Sequence, residues 1–269
     1  MKLAVLGCGN MGSALIAGLR TKLGTRARIA AYDKRASAMR HLPRTVSKIS
    51  PADWFKNGSP DVVVLAVKPQ DMSDALADVT NAIGEKAVGR TLWLSIAAGI
   101  SLAKLQKLLG TQARICRAMP NTPALIGQGI TAYTMNTRST KADAKKAEVV
   151  LGSVGQAVLV PEKMMDAVTG LSGSGPAYVY TFIEALIEGG TAAGLTPEVA
   201  RQCAIQTVVG AGNMVARSNE TPAVLRARVV SPGGTTEAGL KEMAKYGMKN
   251  SVVRAVRRAA MRSVELGKK

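Results

Sequence analysis

Residues 3–19 read LAVLGCGNMGSALIAGL, and this stretch decides the fold. Four apolar residues make a short buried strand, Gly7, Gly9 and Gly12 make a tight turn, and residues 13–23 continue at helical spacing. Strand, G-x-G-x-x-G and helix in that order form the unit in which the pyrophosphate of a dinucleotide meets the N-terminus of a helix. Asp33 ends the next strand, residues 28–32, about twenty positions beyond Gly12, the spacing expected of an acid that binds a ribose hydroxyl. Lys34 and Arg35 follow it and suit a 2′-phosphate, so the residues leave NADH and NADPH both open. Lys2 and the apolar run superficially resemble a secretory leader, but the glycines break the run. No later segment offers the roughly 18 uninterrupted apolar residues of a membrane span. The chain is therefore expected to be soluble and cytoplasmic, without a membrane partner.

Outward from this unit, residues 61–67 (DVVVLAV), 91–97 (TLWLSIA) and 113–117 read as further continuous apolar strands, with helices at 70–83 and 102–109 between them. Such alternation predicts an α/β fold with a Rossmann-type, doubly wound parallel sheet covered on both faces. Lys68 and Pro69 close one strand and residues 95–99 (SIAAG) another, at carboxyl ends where ligands of such sheets lie. After about Val160 the pattern becomes wholly helical, at 164–169, 177–193, 197–217, 222–228, 235–246 and 251–266. The expected organisation is a dinucleotide-binding domain over 1–160 and an all-α domain over 161–269. Several of these helices are apolar almost all round, which predicts burial against a second subunit.

Composition narrows the function classes. An apolar content of 47% with only 3% aromatics predicts cores of aliphatic residues and the twelve Met. Cys8, Cys116 and Cys203 are odd in number and far apart, so neither a disulfide framework nor a metal site is expected, and a reducing compartment fits. The formal net charge of +18 is spread along the chain, with 22 basic and 9 acidic side chains in residues 1–160 and 14 and 9 in the remainder. Lacking interleaved aromatics or a basic tail, it reads as a solvated surface and not as a specific nucleic-acid site.

Residues 231–236, Ser-Pro-Gly-Gly-Thr-Thr, open directly into a helix and form a candidate anion site. Gly233 and Gly234 let backbone N–H groups approach a ligand, and Thr235 and Thr236 add hydroxyls beside the free amides of the first turn. His41 is the single histidine and is expected to be remote from the chemistry, which disfavours a histidine relay. No Tyr precedes a Lys by four positions, which disfavours a Tyr/Lys relay. Gly170, Gly173 and Gly175 resemble the glycine pattern of β-hydroxyacid dehydrogenases, but the catalytic lysine of that pattern would fall at Val179. Oxidising an alcohol needs a base, whereas reducing a protonatable C=N bond needs a hydride and a group to hold the nitrogen. The missing base favours imine reduction, with Thr236, or else Thr235, as the partner of the nitrogen.

GCGNMGSA (7–14), AVKP (66–69), SIAAG (95–99), RAMPNTPA (117–124), GLSGSGPAYVY (170–180) and SPGGTT (231–236), in this order, resemble the pyrroline-5-carboxylate reductase family over essentially the whole chain. The resemblance implies NADPH- or NADH-dependent reduction of the C=N bond of 1-pyrroline-5-carboxylate to L-proline, the last step of proline biosynthesis. Reduction of another cyclic imino acid, such as the six-membered homologue, is the alternative. It further implies that Gly7, Gly9, Asn10, Met11 and Gly12 cradle the pyrophosphate, that Asp33, Lys34 and Arg35 face the adenosine ribose, and that Ala66, Val67, Lys68, Pro69 and Ala97 line the nicotinamide side. Met119, Asn121 and Pro123 are placed in a linker between cofactor and substrate. Ser231, Gly233, Gly234 and Thr235 are assigned to the substrate carboxylate and Thr236 to the ring nitrogen, with Ser172 and Ser174 as further substrate contacts. The helical domain is expected to form a homodimer, or a higher oligomer of dimers, in which the substrate loop meets the cofactor across subunits. Arg226 and Arg228, just before that loop, depart from the Lys-Asp pair usual in such relatives.

Overall fold

β1 (Lys2–Leu6), α1 (Asn10–Leu23) and β2 (Arg28–Tyr32) realise the opening unit. The structure, a computed structural model, describes residues 1–56 and 58–267. There follow β3 (Ser47–Lys48), α2 (Pro51–Trp54), β4 (Val62–Leu65), α3 (Met72–Ile83), α4 (Glu85–Val88), β5 (Leu92–Ser95), α5 (Leu102–Leu109) and β6 (Arg114–Met119). β7 (Gly129–Met135), α6 (Lys141–Leu151) and β8 (Gly155–Leu159) complete a sheet of eight strands among the described residues, in the order β3-β2-β1-β4-β5-β6-β7-β8. The strands from β3 to β6 run parallel, as the continuous apolar runs predict. β7 pairs antiparallel with β6, and β8 parallel with β7. This extension was not anticipated. β7 mixes Thr and Gly with its apolar residues, and most of β8 is exposed at the sheet edge, so neither carries the uninterrupted apolar signature of β4 or β5.

The two faces follow from the period of two along each strand. Leu3, Val5, Val62, Val64, Leu92 and Leu94 join Leu15, Ile16 and Leu19 of α1 and Val150 and Leu151 of α6 in one core. Ala4, Leu6, Val63, Leu65, Trp93 and Ile115 join Met72, Leu76 and Val79 of α3 and Leu105 and Leu109 of α5 in the other. A strand such as β4, VVVL with all four residues buried, is stable only between two helical layers.

Beyond the sheet lie α7 (Met165–Val168), a π-helical turn (Thr169–Gly173), α8 (Gly175–Ala192), α9 (Pro197–Arg217), α10 (Pro222–Arg228), α11 (Thr235–Lys245) and α12 (Met248–Gly267). Compactness divides the chain into one unit of Met1–Gly173 with the chain from Ala259 onwards, and a second of Ser174–Arg258. Residues 161–173, expected in the helical domain, are therefore grouped with the sheet. Glu162 explains part of this. Its carboxylate accepts the N–H of Leu102 at the start of α5 at 2.7 Å and pairs with the buried Arg117 of β6 at 3.2 Å. Ser263 donates to Asp166 at 2.6 Å, which fastens the end of α12 to α7 within the same unit. In the second unit α8 and α9 pack together, with Ala200 and Ala204 buried, while no residue of α8 is buried.

Candidate active site

The strand order places the ends of β1, β2 and β4 side by side, because Leu6 is in register with both Tyr32 and Leu65. The residues that follow, Gly7, Asp33 and Ala66, thus meet at the switch point of the sheet. Gly7 donates to the Tyr32 carbonyl at 2.8 Å, and Ala66 to the Leu6 carbonyl at 2.7 Å. Gly7 has φ +100°, and a Cβ there would lie 2.6 Å from the backbone of Ala66; at Gly12 it would lie 2.1 Å from the Gly7 carbonyl oxygen. Both glycines are thus demanded by close approach. Gly9 differs: nothing lies within 4 Å of a Cβ built on it. It borders open space at the N-terminus of α1, where no side chain caps the helix and no acidic residue occupies the first turn. That is the backbone cradle an anionic pyrophosphate needs.

A cleft of about 490 Å³ opens above these turns. It brings together Gly7, Gly9, Asp33, Lys34, Arg35, Ala66, Val67 and Lys68, all expected near a dinucleotide. Tyr32, Pro51, Gln70, Asp71, Asp74, Ala75 and Asp78 also line it and escaped the sequence reading. For Asp74 and Asp78 a signal existed, since they occupy the exposed face of α3, away from its buried Met72, Leu76 and Val79; for Pro51 there was none. Asn10, Met11, Gly12 and Pro69 adjoin the cleft in sequence but do not line it. Ala97 is buried in the sheet core, with its N–H on the Ser95 hydroxyl at 3.3 Å.

Asp33, its side chain only 9% exposed, is held by Cys8 N–H at 2.8 Å and Arg35 N–H at 2.9 Å, one on each carboxylate oxygen. It therefore fixes the glycine loop to the end of β2 while keeping a free lone pair on each oxygen. Burial, and then the Asp33 carboxylate, push the Cys8 thiol up to about 11, so this cysteine stays protonated and unreactive.

One expectation needs correction, and two residues find partners that spacing does not show. His41 Nε2 lies 2.9 Å from Ser13 Oγ, which donates to the Cys8 carbonyl at 2.9 Å. With the Ser13 proton committed there, the imidazole N–H is the donor, one bond removed from the glycine loop. Met119, Asn121 and Pro123 do not form a linker: Met119 ends β6, and Asn121 and Pro123 belong to the connection from β6 to β7. Asn121 Oδ1 accepts the Ile130 N–H of β7 at 3.0 Å, and a Cβ on Gly173 would stand 2.8 Å from Met119 Cε. Ser172 donates to the Val168 carbonyl at 3.2 Å inside the π-helical turn, a feature that glycine spacing does not announce.

In the second unit, residues 231–234 form a turn, with Gly234 N–H on the Ser231 carbonyl at 3.0 Å and Gly233 at φ +70°. Gly234 caps α11, and the N–H groups of Thr235 and Thr236 find no acceptor among the described residues. The Gly233 N–H is already taken: Glu237 reaches back to accept it at 2.7 Å. Lys241 first, then that N–H, hold the Glu237 carboxyl below its ordinary range. Arg228 pairs with Glu220, so one of the two cations before the loop is engaged locally.

A glycine cradle at the switch point of a parallel sheet, with a ribose-level acid and flanking cations, defines a nicotinamide-dinucleotide-dependent oxidoreductase. Two family models match the chain: "NADP oxidoreductase coenzyme F420-dependent" over residues 2–99 and "Pyrroline-5-carboxylate reductase dimerisation" over residues 162–266. A pyrroline-5-carboxylate reductase of Synechocystis sp. is 40% identical over 271 residues, covering 100% of this chain and 99% of the relative. Among solved structures, a pyrroline-5-carboxylate reductase of Coxiella burnetii superposes with a TM-score of 0.90 at 31% identity, over 98% of this chain and 97% of the other. The Plasmodium falciparum pyrroline carboxylate reductase with NADP bound gives 0.85 at 32% identity, over 99% and 98%. The chain belongs to the pyrroline-5-carboxylate reductase family.

Proposed function

We infer that this protein reduces the C=N bond of 1-pyrroline-5-carboxylate to give L-proline. The observation that carries the inference is the unbroken relationship of the whole chain to reductases of this name. The open cradle at Gly9 and the cleft beside it fit a dinucleotide, which when bound supplies the hydride. The free amides at Asn10 to Gly12 hold the pyrophosphate, and Asp33 to Arg35 face the adenosine ribose. Ala66 to Pro69 and Ala97 border the nicotinamide.

We assign the substrate carboxylate to the turn at 231–235, supported by the unsatisfied N–H groups at the start of α11. Thr236 holds the ring nitrogen, while Ser172 and Ser174 are secondary contacts. A protonated imine brings its own proton to the reaction, so the site needs a group that orients the nitrogen and no general base. Glu237 must release the Gly233 N–H if that amide is to share in binding the carboxylate.

The functional division we propose remains 1–160 for the dinucleotide and 161–269 for substrate and assembly, supported by the dimerisation model at 162–266. Homodimerisation through the helical region is supported by exposed Val179, Tyr180, Val199, Val209 and Met214 on α8 and α9. No helix among the described residues is long and apolar enough to cross a membrane. A reducing, cytoplasmic setting is supported by three free thiols. Oxidation of NADPH or NADH by the purified chain on addition of pyrroline-5-carboxylate, with L-proline as product, tests the assignment; no turnover with either cofactor would refute it.

A further inference from the structure

Across the mouth of the dinucleotide cleft, Lys34 Nζ meets Asp71 Oδ1 at 2.9 Å. The two residues come from opposite lips, Lys34 from the end of β2 and Asp71 from the turn leading into α3. Both are open to solvent, with side chains 72% and 36% exposed, so the pair is a weak latch that a ligand can part. Around it, Arg35 leans on Asp33 at 3.6 Å with its side chain 67% exposed, and Lys68, Asp74 and Asp78 complete the rim.

A 2′-phosphate carries close to two negative charges and seeks cations, whereas a 2′-hydroxyl can donate to a carboxylate. Lys34 is the side chain that immediately follows the ribose-level acid, and Asp71 neutralises it. A phosphate arriving there has to draw Lys34 away and then lie beside the Asp71 and Asp74 carboxylates. Asp33 cannot swing aside to make room without letting go of the Cys8 and Arg35 amides. Lys34 first, then Lys68 and Arg35, hold the Asp71 carboxyl below its ordinary range.

We propose that Asp71 is a specificity-determining residue for the cofactor: by holding Lys34 it disfavours the 2′-phosphate and biases the cleft towards the dinucleotide with a free 2′-hydroxyl. This rests on the reading of the cleft as the dinucleotide site. The test is titration of NADH and NADPH, followed by the fluorescence of the reduced nicotinamide, into the full chain and its Asp71→Asn, Lys34→Gln and doubly substituted forms. Asp71→Asn is expected to shift the ratio of dissociation constants about fivefold in favour of NADPH, the size of an exposed ion pair. Lys34→Gln is expected to abolish that gain in the double variant while moving the ratio less in the otherwise unaltered chain. A ratio unchanged by Asp71→Asn, or shifted towards NADH, overturns the proposal while leaving the dinucleotide site intact. Failure of the unaltered chain to bind either cofactor overturns the site itself, and the proposal with it.

Discussion

Gly7 and Gly9 stand two residues apart in one loop, yet the same substitution has different consequences at each. A Cβ at Gly7 collides with the Ala66 backbone at 2.6 Å and is strained at φ +100°, so Gly7→Ala is expected to lower stability by about 2 kcal/mol or more, measurable by chemical denaturation. At Gly9 the added methyl meets no protein atom. Gly9→Ala should therefore fold with unchanged stability but weaken NADH about tenfold, because only the pyrophosphate would feel it. Thr236→Ala is expected to lower kcat about a hundredfold while leaving cofactor affinity within about twofold; equal loss of both would remove Thr236 from the chemistry. The glycine positions were legible in the sequence because turn chemistry is local. The bond from Cys8 to Asp33 and the contact of His41 with Ser13 were not, since each depends on where another segment's amide or hydroxyl comes to rest.

Among the elements, β1 and α6 are joined through Asp61, whose carboxylate accepts the Lys2 N–H at 2.8 Å and pairs with Lys146 at 3.0 Å. Burial is the largest single influence on this carboxyl and acts to raise its pKa. The Lys2 N–H and the Lys146 ammonium together outweigh it and hold the group below its ordinary 3.8. A carboxyl lowered by folding contributes stability that is present above its unfolded value and is lost as the pH falls through the lower, folded one. Asp61→Asn should therefore cost less than about 1 kcal/mol at pH 7, given the partial exposure of the pair, and the cost should vanish at acid pH below both values. Urea unfolding of both forms at neutral and acid pH reads this directly; a pH-independent difference would contradict it. The long helices of the second unit were legible, since caps such as Thr196 and Thr221 and the breakers between them are local signals. The π-helical turn at Thr169–Gly173 was not, because its packing on Met119 depends on a strand distant in sequence.

For the molecule as a whole, α8 has an apolar composition but no buried residue, and Phe182, Tyr180 and Val179 stand exposed on it. Phe182→Asp is expected to shift the protein to monomer in sedimentation and to abolish turnover, while NADH still binds the first unit. Retained dimer with this substitution would relocate the interface. From sequence alone came the glycine cradle, the class of sheet and the succession of helices, because helical and strand periods and turn residues are written in neighbouring positions, and the reaction came from the family resemblance that the ordered motifs carry. Tertiary structure alone decided the antiparallel turn into β7, the grouping of residues 161–173 with the sheet, and the meeting of Lys34 with Asp71 across the cleft. The physical reason is that strand order is set by burying such segments as VVVL on both faces at once. That burial brings distant turns together, and their side chains then pair by proximity.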